Sequence, residues 1–310
     1  MKKLGNSVSI FVKNLTTLDV ATLSKNKGLQ GHSFNLSVEI SGKKSRDGML
    51  IDFKDLKSVI KKKIDKDIDH RIFATKSDGV SLGSHFSICK KINKNSHIIL
   101  HLPKKNFFFI DNKTLTSTNK KTFCELSEKI STLLKKQFQN KLQIKISLEE
   151  SHKDANAFNY LHCLSFHEGH CKKLHGHGST IRVYGKKGEL LGPLSKKVSR
   201  MLHNKTIVSK GLLKKGNDLK KILNIINLKE IPSYRELSSQ NVTIFYTNPK
   251  GVDYLFSLPK KEAVLLGDES TIENISEHIF KLLSQTETLD IHKIVLHEGT
   301  QKGAIVRKCL

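Results

Sequence analysis

Tryptophan is missing from this 310-residue chain, and arginine is scarce, with six copies. Arg is the side chain best suited to bidentate reading of bases and phosphates. Its scarcity, with no aromatic-rich basic stripe on which bases could stack, argues against a nucleic-acid partner. Long apolar runs are also absent. FFFI at 107–110 is far shorter than the roughly 20 residues a helix needs to cross a bilayer. The opening MKKLGNSVSIFV has two lysines but lacks the apolar segment of a signal peptide. The expectation is a cytoplasmic protein with no membrane partner. The five cysteines, at 89, 124, 163, 171 and 309, are odd in number and scattered, which excludes a disulfide framework and suits a reducing compartment.

What the chain has in excess is lysine. With 54 basic against 29 acidic residues the net charge is +25. Spread over the whole length, the lysines read as solvated faces or as a funnel for a polyanionic small substrate. The length allows two ordinary domains, and a hydrophobic content of 37% is compatible with β-rich folding.

The chain is written twice. GHSFNLSVEISGKK (31–44) lines up with GHGSTIRVYGKK (176–187). Leu126, Ile130, Leu133 and Leu134 stand 149 positions before Ile275, Ile279, Leu282 and Leu283, each set being one face of an amphipathic helix. Thr122 with Glu125, and Ser270 with Glu273, are capping signals. KLQIKISLEES alternates as a half-buried strand and DIHKIVLHEG matches it, with Glu150 and Glu298 in the same place. A further helix is predicted from near Lys54, with Leu56, Val59, Ile60 and Ile64 on one stripe. Each copy reads as strand, strand, helix, inserted hairpin, helix, strand. The hairpins are 96–111 and 241–259, both turning at a Pro-Lys pair. The expectation is a duplicated α+β fold divided into 1–152 and 153–310.

The second copy holds CKKLHGHG at 171–178. His175 and His177 are two apart on a predicted strand and so share a face. His162 lies on the preceding strand. Three imidazoles on one face with a fourth position open are the pattern of a catalytic Zn²⁺ site. Cys171, in a loop four residues before His175, could ligate the metal or, held just outside its shell, act as a base. The competing reading is surface decoration, or a fortuitous His-rich turn given His167 and His170. Asp69-His70 could equally close a helix C-terminus, where the dipole favours His. Asp52 reads as a helix N-terminal residue, and Cys163, of opposite parity to His162, as a small buried hydrophobe.

These residues together resemble the 6-pyruvoyl-tetrahydropterin synthase / 6-carboxytetrahydropterin synthase family. The resemblance rests on His162, C-x-x-x-H-G-H at 171–177, GMLIDFKDLK at 48–57, Asp69-His70 and the late Glu150, and covers nearly all of both copies except the hairpins. It implies two tandem T-fold (tunnelling fold) domains, with antiparallel sheets and helices on one face. The three-residue interval between Cys171 and His175 is similar to the 6-carboxytetrahydropterin synthases of queuosine biosynthesis. The resemblance then implies 7,8-dihydroneopterin triphosphate as substrate and 6-carboxy-5,6,7,8-tetrahydropterin as product. Pyruvoyl-forming chemistry on the same substrate, and a non-catalytic zinc-containing T-fold module, are the alternatives. Zn²⁺ would be held by His162, His175 and His177. Cys171, Asp69 and His70 would be catalytic, and Glu150 or Glu298 would grip the pterin edge. Oligomerisation through the sheets is also implied, as a trimer of fused pairs.

The copies are complementary in what they have lost. Thr22, Asn26 and Gln30 stand in the first copy where His162, Cys171 and His175 stand in the second, and only His32 survives. Gly192-Pro193 and His203-Asn204 stand in the second copy where Asp52-Phe53 and Asp69-His70 stand in the first. One imidazole cannot hold Zn²⁺. The expectation is one composite site, with metal and thiol from the second copy and proton handling from the first.

Overall fold

The computed structural model describes residues 8–24, 28–93, 96–110, 119–138, 142–167, 170–215, 220–221 and 234–308. Asn26 and Cys309 lie outside the described residues, as do the side chains of Thr122 and His170. The first copy starts with β1 (Val8–Ser24) and β2 (Gly28–Gly42), paired antiparallel with a register shift between Val12 and Thr16. Helix α1 (Phe53–Asp67) starts where Asp52 accepts the backbone N–H groups of Lys54 and Asp55, a cap worth about 1 kcal/mol. It buries Leu56, Ile60 and Ile64, while Val59 of the predicted stripe is half-buried; each buried residue contributes about 1.5–3 kcal/mol. Then follow β3 (Ile72–Thr75), β4 (Val80–Leu82), β5 (His85–Asn93), β6 (Ser96–Pro103), β7 (Phe107–Ile110), α2 (Asn119–Gln137) and β8 (Gln143–Glu150). The sheet order is β7-β3-β1-β2-β8.

The second copy repeats this plan with β9 (Ala157–His162), β10 (His175–Gly185), α3 (Gly192–Leu202), β11 (Lys205–Ser209), α4 (Tyr234–Gln240), β12 (Asn241–Thr247), β13 (Asp253–Pro259), β14 (Ala263–Leu266), α5 (Ile272–Thr286), β15 (Ile291–Glu298) and β16 (Lys302–Arg307). Its sheet order is β14-β11-β9-β10-β15-β16. In both sheets the antiparallel hairpins are flanked by short parallel strands, β3 with β7 and β11 with β14. The sequence reading did not contain β3, β11, β14 or β16, and it placed β7 in the inserted hairpin.

The first inserted hairpin departs from expectation. Residues 96–111 do not fold back at Pro103-Lys104. There β6 ends in a 3-10 turn, Lys104–Asn106, and β7 joins the main sheet beside β3. The antiparallel partners of β6 are β5 and, from the other copy, β13. The second hairpin does turn at Pro249-Lys250, helped by Gly251 at φ 70°. Both insertions thereby join one five-stranded sheet, β12-β13-β6-β5-β4, that belongs to neither half alone. The capping signals are also displaced. Helix α2 starts at Asn119, before Thr122, and α5 is capped by Thr271, not Ser270. Ser270 is diverted because its hydroxyl donates to the carbonyl of Cys163.

Three cores result. One lies between the first sheet and α1 and α2, with Phe34, Leu36, Ile60 and Ile130. A second lies between the second sheet and α3 and α5, with Tyr160, Val183, Val198 and Ile279. The third is shared, drawing Leu23, Ile88 and Leu100 from the first half and Leu161, Val208 and Phe256 from the second.

Candidate functional site

The site forms where the two main sheets cross. Strands β1 and β2 pack on β9 and β10, and the closest approach is at Gly31 and Gly176, residues that occupy the same place in the repeat. A Cβ on Gly31 would lie 2.1 Å from the Tyr160 carbonyl oxygen, and one on Gly176 2.1 Å from the Gly31 Cα. The halves are related about this crossing by an approximate two-fold. His70 N–H donates to the Asp19 carbonyl, and its counterpart Asn204 N–H donates to the Asn159 carbonyl. His70 and Asn204 share the left-handed backbone, with φ 55° and 58°.

In the second copy the register sets His175 opposite His162. All three imidazoles are buried: His162 and His177 are 1% exposed and His175 0%. Their Nε2 atoms lie 3.0–3.2 Å apart. The outer nitrogens of two rings are tied back: His162 Nδ1 donates to the Ser270 carbonyl and His175 Nδ1 to the Lys173 carbonyl, both at 2.7 Å. With protons committed to Nδ1, the Nε2 lone pairs of His162 and His175 point inward, an arrangement that a cation resolves. The triangle is close to the ~3.3 Å edge expected among nitrogens around tetrahedral Zn²⁺. Burial holds both rings neutral, bringing the His162 pKa down to about 3 and pushing that of His175 well below its usual value. The residues present fit a divalent metal.

Cys171 lies on a 3-10 turn, His170–Lys172, in the loop before β10. Its backbone carbonyl accepts Leu164 N–H, and Glu269 pins the same loop through the N–H and hydroxyl of Ser165. His167 is exposed on this loop. From the first copy, Asp69 and His70 follow the C-terminus of α1 and enter the same space. His70 Nε2 is 3.9 Å from Cys171 Sγ, and its ring centroid is 4.3 Å from that of His175. Asp69 contacts His70 Nδ1 at 2.5 Å. Burial works against the charged imidazole, but Asp69, Cys171 and Asp19 outweigh it and lift its pKa to about 10. The predicted helix-end position of Asp69-His70 is correct as far as it goes, since Asp69 N–H donates to Ile64 in the last turn.

The two late glutamates separate. Glu298 Oε1 lies 3.8 Å from His162 Nε2 and 3.9 Å from His177 Nε2, and Lys302 reaches its other oxygen at 3.0 Å. Glu150, opposite Phe34, lines a different cavity of about 180 Å³ with His32, Asn159 and His203, at the two-fold-related place. Beside Asp69 and His70 a larger cavity of about 500 Å³ is lined by Asp19, Lys61, Gln301 and Lys302 among others. Asp52 caps α1. Cys163 is buried in the shared core, and burial pushes its thiol up to about 12. Among the described residues Cys89 and Cys124 form no disulfide.

Sequence reasoning passed over Asp19, Lys302 and Lys173. Asp19 stands three residues before Thr22, as Asn159 stands before His162, and an acid within the mostly apolar stretch 18–23 was the available signal. Burial pulls the Lys173 ammonium down to about 8.

A model of the 6-pyruvoyl tetrahydropterin synthase family matches the chain twice, over residues 14–156 and 152–309. A Pyrococcus horikoshii protein provisionally named 6-carboxy-5,6,7,8-tetrahydropterin synthase is 30% identical over 100 residues, 32% of this chain. The match spans 57% of that relative's length. Among solved structures, 6-pyruvoyl tetrahydropterin synthase of Plasmodium vivax is similar at 20% identity and a TM-score of 0.36, covering 48% of this chain and 94% of its own. The Plasmodium falciparum enzyme is similar at 22% identity and a TM-score of 0.32, covering 50% and 93%.

Proposed function

The chain belongs to the 6-pyruvoyl tetrahydropterin synthase family, and from that premise we propose that it is a zinc-dependent 6-carboxytetrahydropterin synthase with one composite site. Its two tandem domains are α+β T-folds; we divide them at 152/153. The substrate is 7,8-dihydroneopterin triphosphate, which loses its triphosphate and a two-carbon fragment to give 6-carboxy-5,6,7,8-tetrahydropterin, as queuosine biosynthesis requires. The observation that carries the composite site is the 3.9 Å approach of His70, from one half, to Cys171, from the other. The product assignment is supported by the three-residue interval between Cys171 and His175 and by the name of the Pyrococcus horikoshii relative.

His162, His175 and His177 hold the metal, which when bound polarises a side-chain oxygen of the substrate. Cys171 moves a proton at the neighbouring carbon. His70, kept protonated by Asp69, serves as the partner acid. Glu298, not Glu150, faces the intact site and grips the guanidine-like edge of the pterin through paired charge-assisted hydrogen bonds. The cavity beside His70 admits the side chain, with Lys61 as a cation for the phosphates. The wider lysine excess steers the anion toward it. Among the described residues no helix is long and apolar enough to cross a membrane, and we place the protein in the cytoplasm as a trimer of fused pairs.

Product mass after incubation with dihydroneopterin triphosphate tests this reading and separates it from pyruvoyl formation. Cys171→Ala and His70→Ala each lower turnover at least about 100-fold, and mixing the two inactive proteins restores little. Full activity in the double variant Asp69→Asn, His70→Asn sinks the shared site. The second reading, a zinc-containing module without catalysis, draws on the Pro193 and Asn204 changes in the second copy. Absence of any product favours it.

A further inference from the structure

Three ring nitrogens face outward from the histidine cluster, and they do not meet the same kind of group. Those of His162 and His175 donate to backbone carbonyls of their own half. That of His177 faces a carboxylate from the other half, with Asp19 Oδ2 3.3 Å from Nδ1. The contact is oblique, with Nδ1 beside the carboxylate but without the alignment of a full hydrogen bond. We propose that Asp19 of the first domain is the positioning residue for the metal ligand His177 of the second, so that metal loading of one domain depends on a side chain of the other. This rests on reading the three histidines as a metal site. A ligating imidazole is usually fixed by a carboxylate or carbonyl at its far nitrogen, which sets the tautomer, aims the ring and raises its basicity.

Asp19 is built to do this. Its carboxylate is buried, 5% exposed, and accepts the Ser33 hydroxyl. Its backbone is clamped on both sides: the N–H donates to Asp69 Oδ1 at 2.8 Å, and the carbonyl accepts His70 N–H at 2.8 Å. One residue therefore touches the metal cluster through its side chain and the Asp69-His70 pair through its backbone.

The approximate two-fold supplies an internal control. At the related crossing Asn159 replaces Asp19, and Gly178 replaces Ser33. There the backbone frame persists, with Asn204 N–H donating to the Asn159 carbonyl at 2.7 Å. Crossing the sheets therefore does not require a carboxylate. Acid and hydroxyl are both missing where Thr22 and Gln30 have taken the place of imidazoles, and both are present where the imidazoles remain. The acid goes with the histidine triad, while the hydroxyl serves both, since Ser33 Oγ also accepts Gly178 N–H across the crossing at 2.8 Å.

The test is Zn²⁺ affinity of the full chain, by competition with a chromophoric chelator at fixed pH, with the visible spectrum of the Co²⁺ form as a second readout. Wild type binds one ion per chain, and His175→Ala does not. Asp19→Asn, nearly isosteric and still able to accept from Ser33, binds about 10–100-fold more weakly and alters the Co²⁺ bands without a loss of folded structure. Asn159→Asp leaves affinity unchanged. If wild type binds no zinc, or His175→Ala binds it as well, the metal reading fails and the proposal with it. If both controls behave and Asp19→Asn keeps wild-type affinity and spectrum, the metal reading stands and the role of Asp19 is refuted. Should Asp19→Asn fail to fold, Ser33→Ala, which keeps the acid but releases it and also removes the acceptor of Gly178 N–H, is expected to weaken binding and alter the Co²⁺ bands, and unchanged affinity and spectrum there overturn the proposal.

Discussion

His70 holds a backbone conformation that few side chains accept, φ 55°, and its two-fold counterpart is Asn204, one of the residues that tolerate it best. Both are among the side chains enriched in this conformation, so the left-handed turn persists in both halves while the imidazole is kept in the first. His32, the last histidine of the disarmed copy, is equally telling. It is buried, and burial, with His203 nearby, lowers its pKa to about 4. Between pH 6.5 and pH 4 the unfolded chain binds a proton at this residue that the folded chain refuses, so stability rises with pH in that window and is lost on acidification. The contribution reaches about 2–3 kcal/mol near pH 4.5. His32→Gln is expected to lose less stability than wild type between pH 7 and pH 4.5 in urea titrations. Equal losses would show that this imidazole titrates freely.

The elements that the sequence announced are those with a private pattern. The stripe Leu56, Ile60, Ile64 gives α1, and the parity of His162, His175 and His177 gives three rings on one face, as the β9–β10 register bears out. What stayed hidden was pairing between distant strands. The apolar run in SHIILHLP marks a buried strand, but nothing local says that its partners are β5 and a strand about 150 residues away. IFAT and KTIVS, four and five residues long, are too short for periodicity to register. In the sequence Gly176 and Gly31 only open the aligned repeats, whereas in the fold each is the place where one sheet admits the backbone of the other. Gly176→Ala would put a methyl 2.6 Å from the Val20 carbonyl oxygen as well as against Gly31. The expected cost is about 3 kcal/mol or more, with loss of activity even though no functional group is removed. A thermal midpoint within a degree or two of wild type would show that the sheets part easily.

At the scale of the molecule the third sheet and the shared core tie the halves together. Residues 1–152 alone would expose the β6 edge and the Leu23, Ile88 and Leu100 surface, and residues 153–310 the matching β13 edge. Each fragment produced alone is expected to lack a cooperative unfolding transition, and the two co-expressed to recover one. A sharp transition in either fragment by itself would contradict the shared core.

A covalent chain also fixes how often the sulfur of residue 171 and the imidazole of residue 70 meet. Their encounter is intramolecular, governed by tethering and not by the population of separate partners. Specific activity should therefore hold constant as the enzyme is diluted, down to concentrations at which a site assembled from loose subunits would drift apart.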